Sequence, residues 1–304
     1  PESFDYAGIP CLAPFYYRLP AQAVPTLPMF TLRRLRQRVC RWLGDWRPEV
    51  VHSHTIFPVA ALATAVAHHC GAGLVGTVHG WDFDGALPNR RLQPHLRQLV
   101  CGLDALLVPN DRHRQLAIEL GLPGQRVATL PCHPHVTAAF RGPMSAAHPG
   151  DGGGPLRLLF PANPPRAEKD YPLFQSSCGA LRRRGYEVSH ETFGGLTREQ
   201  VWQRIRQADC MVLTSVREGS PQVCKEALVI GTRVATVDVG DMATYLPVQA
   251  IAQARQPEAI ADAVEAALKL PAEAWELPEC YRPATVLAGL ERSYGIALRE
   301  RERT

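Results

Sequence analysis

No apolar run in the 304 residues reaches the roughly 18 that a membrane-spanning helix needs. The longest candidate, PVAALATAVAHHC from Pro58, ends in histidines and suits a buried helix instead. No C-x-x-C pair occurs among the nine cysteines, which excludes a zinc knuckle and a small disulfide scaffold and leaves reduced thiols in a cytosolic protein. No pattern of a secretory signal is visible. Neither sign of charge dominates: a formal charge of +4 is too weak to point to nucleic acid, and no stacking-aromatic RNA motif is present. The chain also opens PESFDYAGIP, with no initiator Met, and no strand is expected before residue 49.

What is present is a regular alternation. The runs EVVHSH (49–54), GLVGTVHG (73–80), ALLVPN (105–110) and RVATLP (126–131) read as strands, short and rich in β-branched residues. LRLLFPAN (156–163), YEVSHETF (186–193), DCMVLTSV (209–216) and TRVATVDVG (232–240) repeat the pattern in the second half. Amphipathic stretches lie between them, among them DRHRQLAIEL, YPLFQSSCGALRRR, REQVWQRIRQ and PEAIADAVEAALKL. Repeated β-then-α with continuous apolar strands predicts an α/β protein whose parallel sheets are covered on both faces.

The stretch RGPMSAAHPGDGGGP (141–155) is nearly pure turn chemistry and predicts the domain boundary. Its glycines precede a strand, whereas a phosphate-binding glycine loop follows a strand and opens a helix. The expected division is therefore 1–145, 155–280 and a closing segment 281–304.

SVREGSPQVCKEALVIG (215–231) carries the chemistry. DCMVLTSV is the strand and REG the turn at its carboxyl end. Ser220 is the expected N-cap, Pro221 the first helical position and Gly231 the stop. A strand's carboxyl end meeting a helix N-terminus is where α/β sheets bind ligands, and the open N–H groups from about Gln222 favour phosphate. Val223, Ala227 and Ile230 predict the buried stripe, and Glu226 should border it on a cleft. An ionised Glu226 there can accept two hydrogen bonds from a ribose diol, while Glu218 in the turn faces whatever lies beyond the phosphates.

E-G-S-P-x-V-x-K-E-A, followed by G-T-x-V-A-T-x-D-V-G-D, resembles the donor-site signature of retaining glycosyltransferases of family 4. The resemblance implies the GT-B fold, two Rossmann-like domains with a cleft between them, and a nucleotide-diphospho-sugar donor. It implies no cofactor and no metal, because such enzymes offset diphosphate charge with helix dipoles and basic side chains. Glu226 then holds the ribose, and Glu218 with Gly219, Ser220, Pro221, Gln222 and Val223 meets the donor sugar and phosphates. LLFPANPPRAEKDYPLF resembles the loop that carries a basic pair for the diphosphate. Lys169 matches it; the family's Arg stands five residues earlier, where this chain has Pro164, so Arg166 is a shifted substitute. His79, closing the strand in TVHGWD, matches a histidine placed near the donor sugar. Family members begin with a strand and a glycine-rich loop that nothing here matches, so the chain is expected to be a fragment or to have lost that unit, with an incomplete N-terminal domain.

Other features carry less. His52 and His54 share one strand face, yet no third metal ligand has convincing spacing; CHPH (132–135) and HHC (68–70) lie on a loop and a helix end. GG at 194–195 is expected near the base. TLRRLRQRVCRWLGDW (31–46) is a basic amphipathic helix, read equally as a packed domain helix and as a peripheral contact with anionic lipid at the inner face of the membrane. LERSYGIALRERERT is the final helix, expected to return to the first domain. The acceptor implied is a glycan or lipid-linked sugar, in polysaccharide or cell-envelope synthesis. Two alternatives stay open: a nucleotide-sugar 2-epimerase of the same fold, and a nucleotide-binding module without transfer activity.

Overall fold

The computed structural model describes residues 3–14, 29–144 and 154–302, and most of the expected linker, 145–153, lies outside the described residues. The chain divides into two compact units, Pro1–Leu130 with Leu287–Thr304, and Pro131–Val286.

The first unit begins with an antiparallel hairpin, β1 (Ser3–Tyr6) and β2 (Ile9–Leu12), where the sequence pattern predicts no strand. Asp5 stabilises the turn by accepting the Gly8 N–H at 2.8 Å. This ribbon is a sheet of its own. After α1 (Met29–Leu43) come β3 (Val50–Ser53), α2 (Ala60–Cys70), β4 (Gly73–Thr77), α3 (Gln93–Cys101), β5 (Ala105–Val108), α4 (Asp111–Glu119) and β6 (Val127–Thr129). The four strands β3 to β6 pair in chain order, all parallel. β5 is buried along its whole length, which is why ALLV carries no polar alternation. Asn110 caps α4 by accepting the His113 N–H at 2.8 Å.

The second unit holds β7 (Leu156–Phe160), α5 (Tyr171–Arg183), β8 (Val188–Thr192), α6 (Arg198–Gln207), β9 (Cys210–Leu213), α7 (Gln222–Ile230), β10 (Arg233–Val237), β11 (Ile251–Ala252) and α8 (Pro257–Lys269). The sheet order is β11-β10-β9-β7-β8, all parallel. In such a doubly wound sheet the order reverses between the first and third strands, here β7 and β9, and the loops leaving those two strands diverge to opposite faces. Phe174 and Leu181 of α5 are fully buried against this sheet, each worth about 1.5–3 kcal/mol. Thr197 and Gln200 form a reciprocal capping box at the start of α6.

The last helix, α9 (Pro283–Arg301), starts seven residues before the stretch read from sequence, and from Leu287 it belongs to the first unit. Ala297 packs with Val75, Ala105 and Leu107 on one face of that unit's sheet. A Cβ on Gly73 would come within 3.0 Å of the Ala297 backbone, so the absent side chain lets helix and strand meet. Arg126 pairs with Glu300 in the same contact.

Candidate functional site

The two loops that leave β7 and β9 are tied together. Lys169, four residues after a sharp Pro-Pro turn, forms an ion pair with Glu218, and each side chain is 14% exposed. Thr214 Oγ1 donates to the Lys169 and Asp170 carbonyls at 2.9 Å, and the Val216 N–H donates to the Glu168 carbonyl at 2.9 Å. Asp170 adopts a left-handed backbone, φ 54°, while its carboxylate caps α5 by accepting the Leu173 N–H. Asp is among the few residues that tolerate that conformation, so the bend after Lys169 sets the direction of its side chain at modest cost. Arg255, which the sequence pattern did not single out, donates to the Ser215 and Thr214 carbonyls at 2.7 and 3.0 Å and to Asp170 Oδ2 at 2.6 Å.

Arg166 stands apart from this pair: it binds Glu168, with Nε to Oε1 at 2.8 Å. The carboxylate two residues on captures it, so in this structure the shifted Arg lies beside Glu168 while Lys169 meets Glu218.

Helix α7 begins at Gln222, with Pro221 as its extended N-cap and no side-chain cap bond. Ser220 is therefore not the cap expected from sequence. Its hydroxyl instead donates to Asp241 Oδ2 at 2.6 Å and accepts from Lys225 Nζ and from the Cys132 N–H. Competing partners on a neighbouring loop outbid the local N–H groups. The Gln222 amide donates to the His133 carbonyl at 3.0 Å, and Val223 packs on the core. The four orphan N–H groups of the helix start remain the natural anion contacts. Gly219 is buried, and the Cα of Gly240, with φ 63°, presses on it: a Cβ there would lie 2.9 Å from the Gly219 oxygen.

The expected one-sided stripe of α7 is a correction, because Cys224, Lys225, Glu226, Ala227, Leu228 and Ile230 are all buried. Neighbouring elements surround the helix on more than one face. Glu226 is only 1% exposed rather than open to solvent, and it accepts from Arg198 at 2.5 Å. Burial pushes the Glu226 carboxyl above its ordinary value, against the lowering pull of Arg198. Arg198 lies at the start of α6, shortly after Gly194 and Gly195, and its guanidinium rests 5.7 Å from the Trp202 ring centre.

In the first unit, His79 follows β4 and its N–H donates to Asp82 Oδ2 at 3.2 Å. Asp82, 1% exposed, also accepts the Phe57 N–H at 2.9 Å, so this carboxylate fixes the turns after β3 and β4 together. The rings of His52 and His54 stack at 4.2 Å, and those of His54 and His79 at 6.4 Å. His52 is engaged at both nitrogens, Nδ1 with the Tyr294 hydroxyl at 3.0 Å and Nε2 with Thr77 Oγ1 at 2.7 Å. Burial lowers its pKa to about 4. Among the described residues no group of three or more His, Cys, Asp or Glu side chains is arranged to hold a metal ion.

The chemistry these parts offer is anion binding at a switch point. Lys169 meets Glu218 four residues before the start of α7, and the buried Glu226 carboxylate lies one turn along that helix. Against known proteins, residues 3–133 match the family described as glycosyl transferase 4-like domain, and residues 177–282 match glycosyl transferases group 1. No curated protein matches the sequence. Solved structures share the fold at low identity. The sucrose-phosphate synthase of Thermosynechococcus elongatus is 15% identical with a TM-score of 0.67, over 99% of this chain and 84% of that one. Anabaena Alr3699/HepE in complex with UDP is 10% identical with a TM-score of 0.60, over 91% and 83%. A UDP-forming α,α-trehalose-phosphate synthase from Burkholderia xenovorans is 15% identical with a TM-score of 0.58, over 89% and 77%.

Proposed function

We propose, for a chain that belongs to the glycosyltransferases of the GT-B fold, that it moves a sugar from a nucleotide-diphospho-sugar to a glycan or lipid-linked acceptor with retention at the anomeric carbon. The observation that carries this reading is the Lys169–Glu218 pair across the switch point, beside the start of α7. A donor diphosphate placed on the first-turn amides of α7 takes Lys169 from Glu218 and releases that carboxylate toward the sugar. As negative charge grows on the leaving diphosphate, Lys169 and the helix start stabilise it. Glu226 accepts the ribose hydroxyls once Arg198 swings aside, and Gly194 and Gly195 lie toward the base. His79 takes the sugar hydroxyls, following the family pattern. Arg166 needs to leave Glu168 before it can add a second positive charge.

The reaction as proposed needs no metal, so turnover should be unchanged by EDTA. UDP-sugars are the first donors to try, since the Anabaena structure contains UDP and the Burkholderia synthase is UDP-forming. The decisive assay incubates the protein with UDP- and GDP-sugars, with and without a panel of glycan and lipid-linked acceptors. Acceptor-dependent release of nucleotide with an α-linked product from an α-linked donor supports retaining transfer. Conversion of donor without acceptor favours the epimerase, and nucleotide binding without turnover favours the inactive module.

Helix α1 supports a further element of the reading, a peripheral contact with anionic lipid. Leu35 is buried, while Arg33, Arg34, Arg36 and Arg41 are exposed, and Phe30, Trp42 and Trp46 show 64%, 38% and 62% of their surface. Basic and aromatic side chains together are suited to a headgroup layer. Co-sedimentation with phosphatidylglycerol vesicles but not with phosphatidylcholine vesicles is the expected result.

A further inference from the structure

Lys225 is fully buried, and so nearly is its partner: the side chains of Lys225 and Asp241 are 0% and 3% exposed, with Nζ 3.0 Å from Oδ2. Local physics does not ask for a lysine here. It sits in the first turns of α7, where the helix dipole disfavours a cation. Two charges taken out of water cost several kcal/mol each before they attract, and well-packed apolar side chains often do as well for stability.

What the ammonium does is join separate segments. It donates to Ser220 Oγ in the loop after β9 and binds Asp241 in the loop after β10. Tyr281, beyond α8, donates its hydroxyl to the same Oδ2 at 3.1 Å, and the Tyr281 and Tyr245 rings lie 4.6 and 5.4 Å from Nζ. The other oxygen, Asp241 Oδ1, is buried with no hydrogen-bond partner, so Lys225, Ser220 and Tyr281 all converge on Oδ2. The Ser220 hydroxyl is fully committed inside this cluster, as donor to Asp241 and acceptor from Lys225 and the Cys132 N–H. It has nothing left to offer a phosphate, which leaves the backbone N–H as the donor that residue can supply.

We infer that Lys225 is a positioning residue for the donor diphosphate. Through Ser220 and Asp241 it fixes the 218–221 turn, whose amides and the start of α7 receive the phosphates. It touches no substrate atom. The inference rests on the donor-site reading above and adds to it a part that acts on the phosphates and not on the nucleoside.

The test exploits that selectivity. The double variant Lys225→Met/Asp241→Asn removes both charges and leaves no buried charge unpaired, while Asn keeps an acceptor for Ser220 and Tyr281. Calorimetry compares UDP with uridine, and GDP with guanosine, for the wild type, this variant and Ser220→Ala. The diphosphate affinity of the double variant should fall at least 10-fold with nucleoside affinity within twofold, and Ser220→Ala should show a smaller loss, about 3-fold, of the same kind. If the double variant fails to fold by circular dichroism, Ser220→Ala alone decides. Equal losses for nucleotide and nucleoside, or unchanged diphosphate binding in a folded variant, overturn the role of Lys225 and leave the donor site standing. A wild-type protein that binds neither member of either pair removes the donor-site reading and the inference with it.

Discussion

The Arg198 guanidinium donates to Glu226 at 2.5 Å from the solvent side, the arginine side chain 52% exposed and the glutamate 2%. The carboxylate proposed for ribose is thus covered by a mobile-length side chain whose own environment is wet. A ribose diol replaces one set of donors with another, so the carboxylate never loses its hydrogen bonds on binding.

Glu226 must be ionised to accept from both ribose hydroxyls, and burial raises its pKa above the ordinary 4.5. UDP affinity should therefore decline on acidification, beginning at a higher pH than an ordinary glutamate would give. Arg198→Ala should move that midpoint further up by removing the lowering charge. Glu226→Gln should weaken UDP by roughly 10- to 100-fold, the range for a hydrogen bond to a charged group, and abolish the pH dependence due to this site. Calorimetry from pH 4.5 to 8 checks it, and the ligand's own titration cancels between wild type and variant. Parallel curves for the two proteins would remove Glu226 from the site.

Lys169→Ala should lower kcat by about two orders of magnitude and change donor KM little, because the charge it meets grows in the transition state. Arg166→Ala should cost much less, since Arg166 is 56% exposed and already satisfied by Glu168. Initial rates over a donor concentration series separate the two. Unchanged turnover in Lys169→Ala would end its proposed role.

The sequence made the eight main strands readable because parallel strands buried on both faces become unbroken apolar runs such as ALLV and CMVL. The helix N-terminus at 220–222 was readable to within one residue, for the same local reasons that put Pro near a helix start. What stayed hidden was long-range. Lys225 is 16 residues from Asp241, and nothing in VCKEALVIG says that its lysine points inward. The family resemblance implies a basic pair, with Arg166 as a shifted substitute three residues before Lys169, whereas Glu168 between them binds the arginine. The hairpin at Ser3–Leu12 escaped because its turn, Ala7-Gly8, has only one glycine and its strands are exposed except at the half-buried Cys11 and Leu12. Arg255 acts through two backbone carbonyls and a carboxylate 85 residues away, Asp170, which leave no local mark in a sequence.

His52 ties α9 to the first unit's sheet through Tyr294 and Thr77, and it does so as a neutral ring. Its pKa falls from 6.5 to about 4 on folding, so between those values the unfolded chain binds more protons than the folded one. Stability contributed by this depressed pKa is present above pH 6.5 and is lost as pH drops toward 4. Urea denaturation at pH 7.5, 6 and 5 should show a falling midpoint, and His52→Gln, which keeps a donor and an acceptor, should flatten that decline. An undiminished slope in His52→Gln would assign the acid sensitivity to other groups.

Two glycines with positive φ separate backbone strain from a specific contact. Gly185, φ 95°, lies in the turn before β8 with open space around its Cα, whereas Gly240, φ 63°, lies against the Gly219 carbonyl. Alanine at either site carries a left-handed backbone penalty of about 1–2 kcal/mol. Only at 240 does the new methyl meet a backbone atom, at 2.9 Å, and relief requires the Gly240 loop and the Glu218–Gly219 turn to separate. Overpacking of that kind costs about a further 1–3 kcal/mol. Gly185→Ala should therefore lower the urea midpoint modestly and leave UDP affinity at the wild-type value. Gly240→Ala should lower the midpoint more and weaken UDP several-fold as well, because the displaced turn carries the amides proposed to hold the phosphates. Equal UDP affinities in the two variants would mean that this turn does not support the donor.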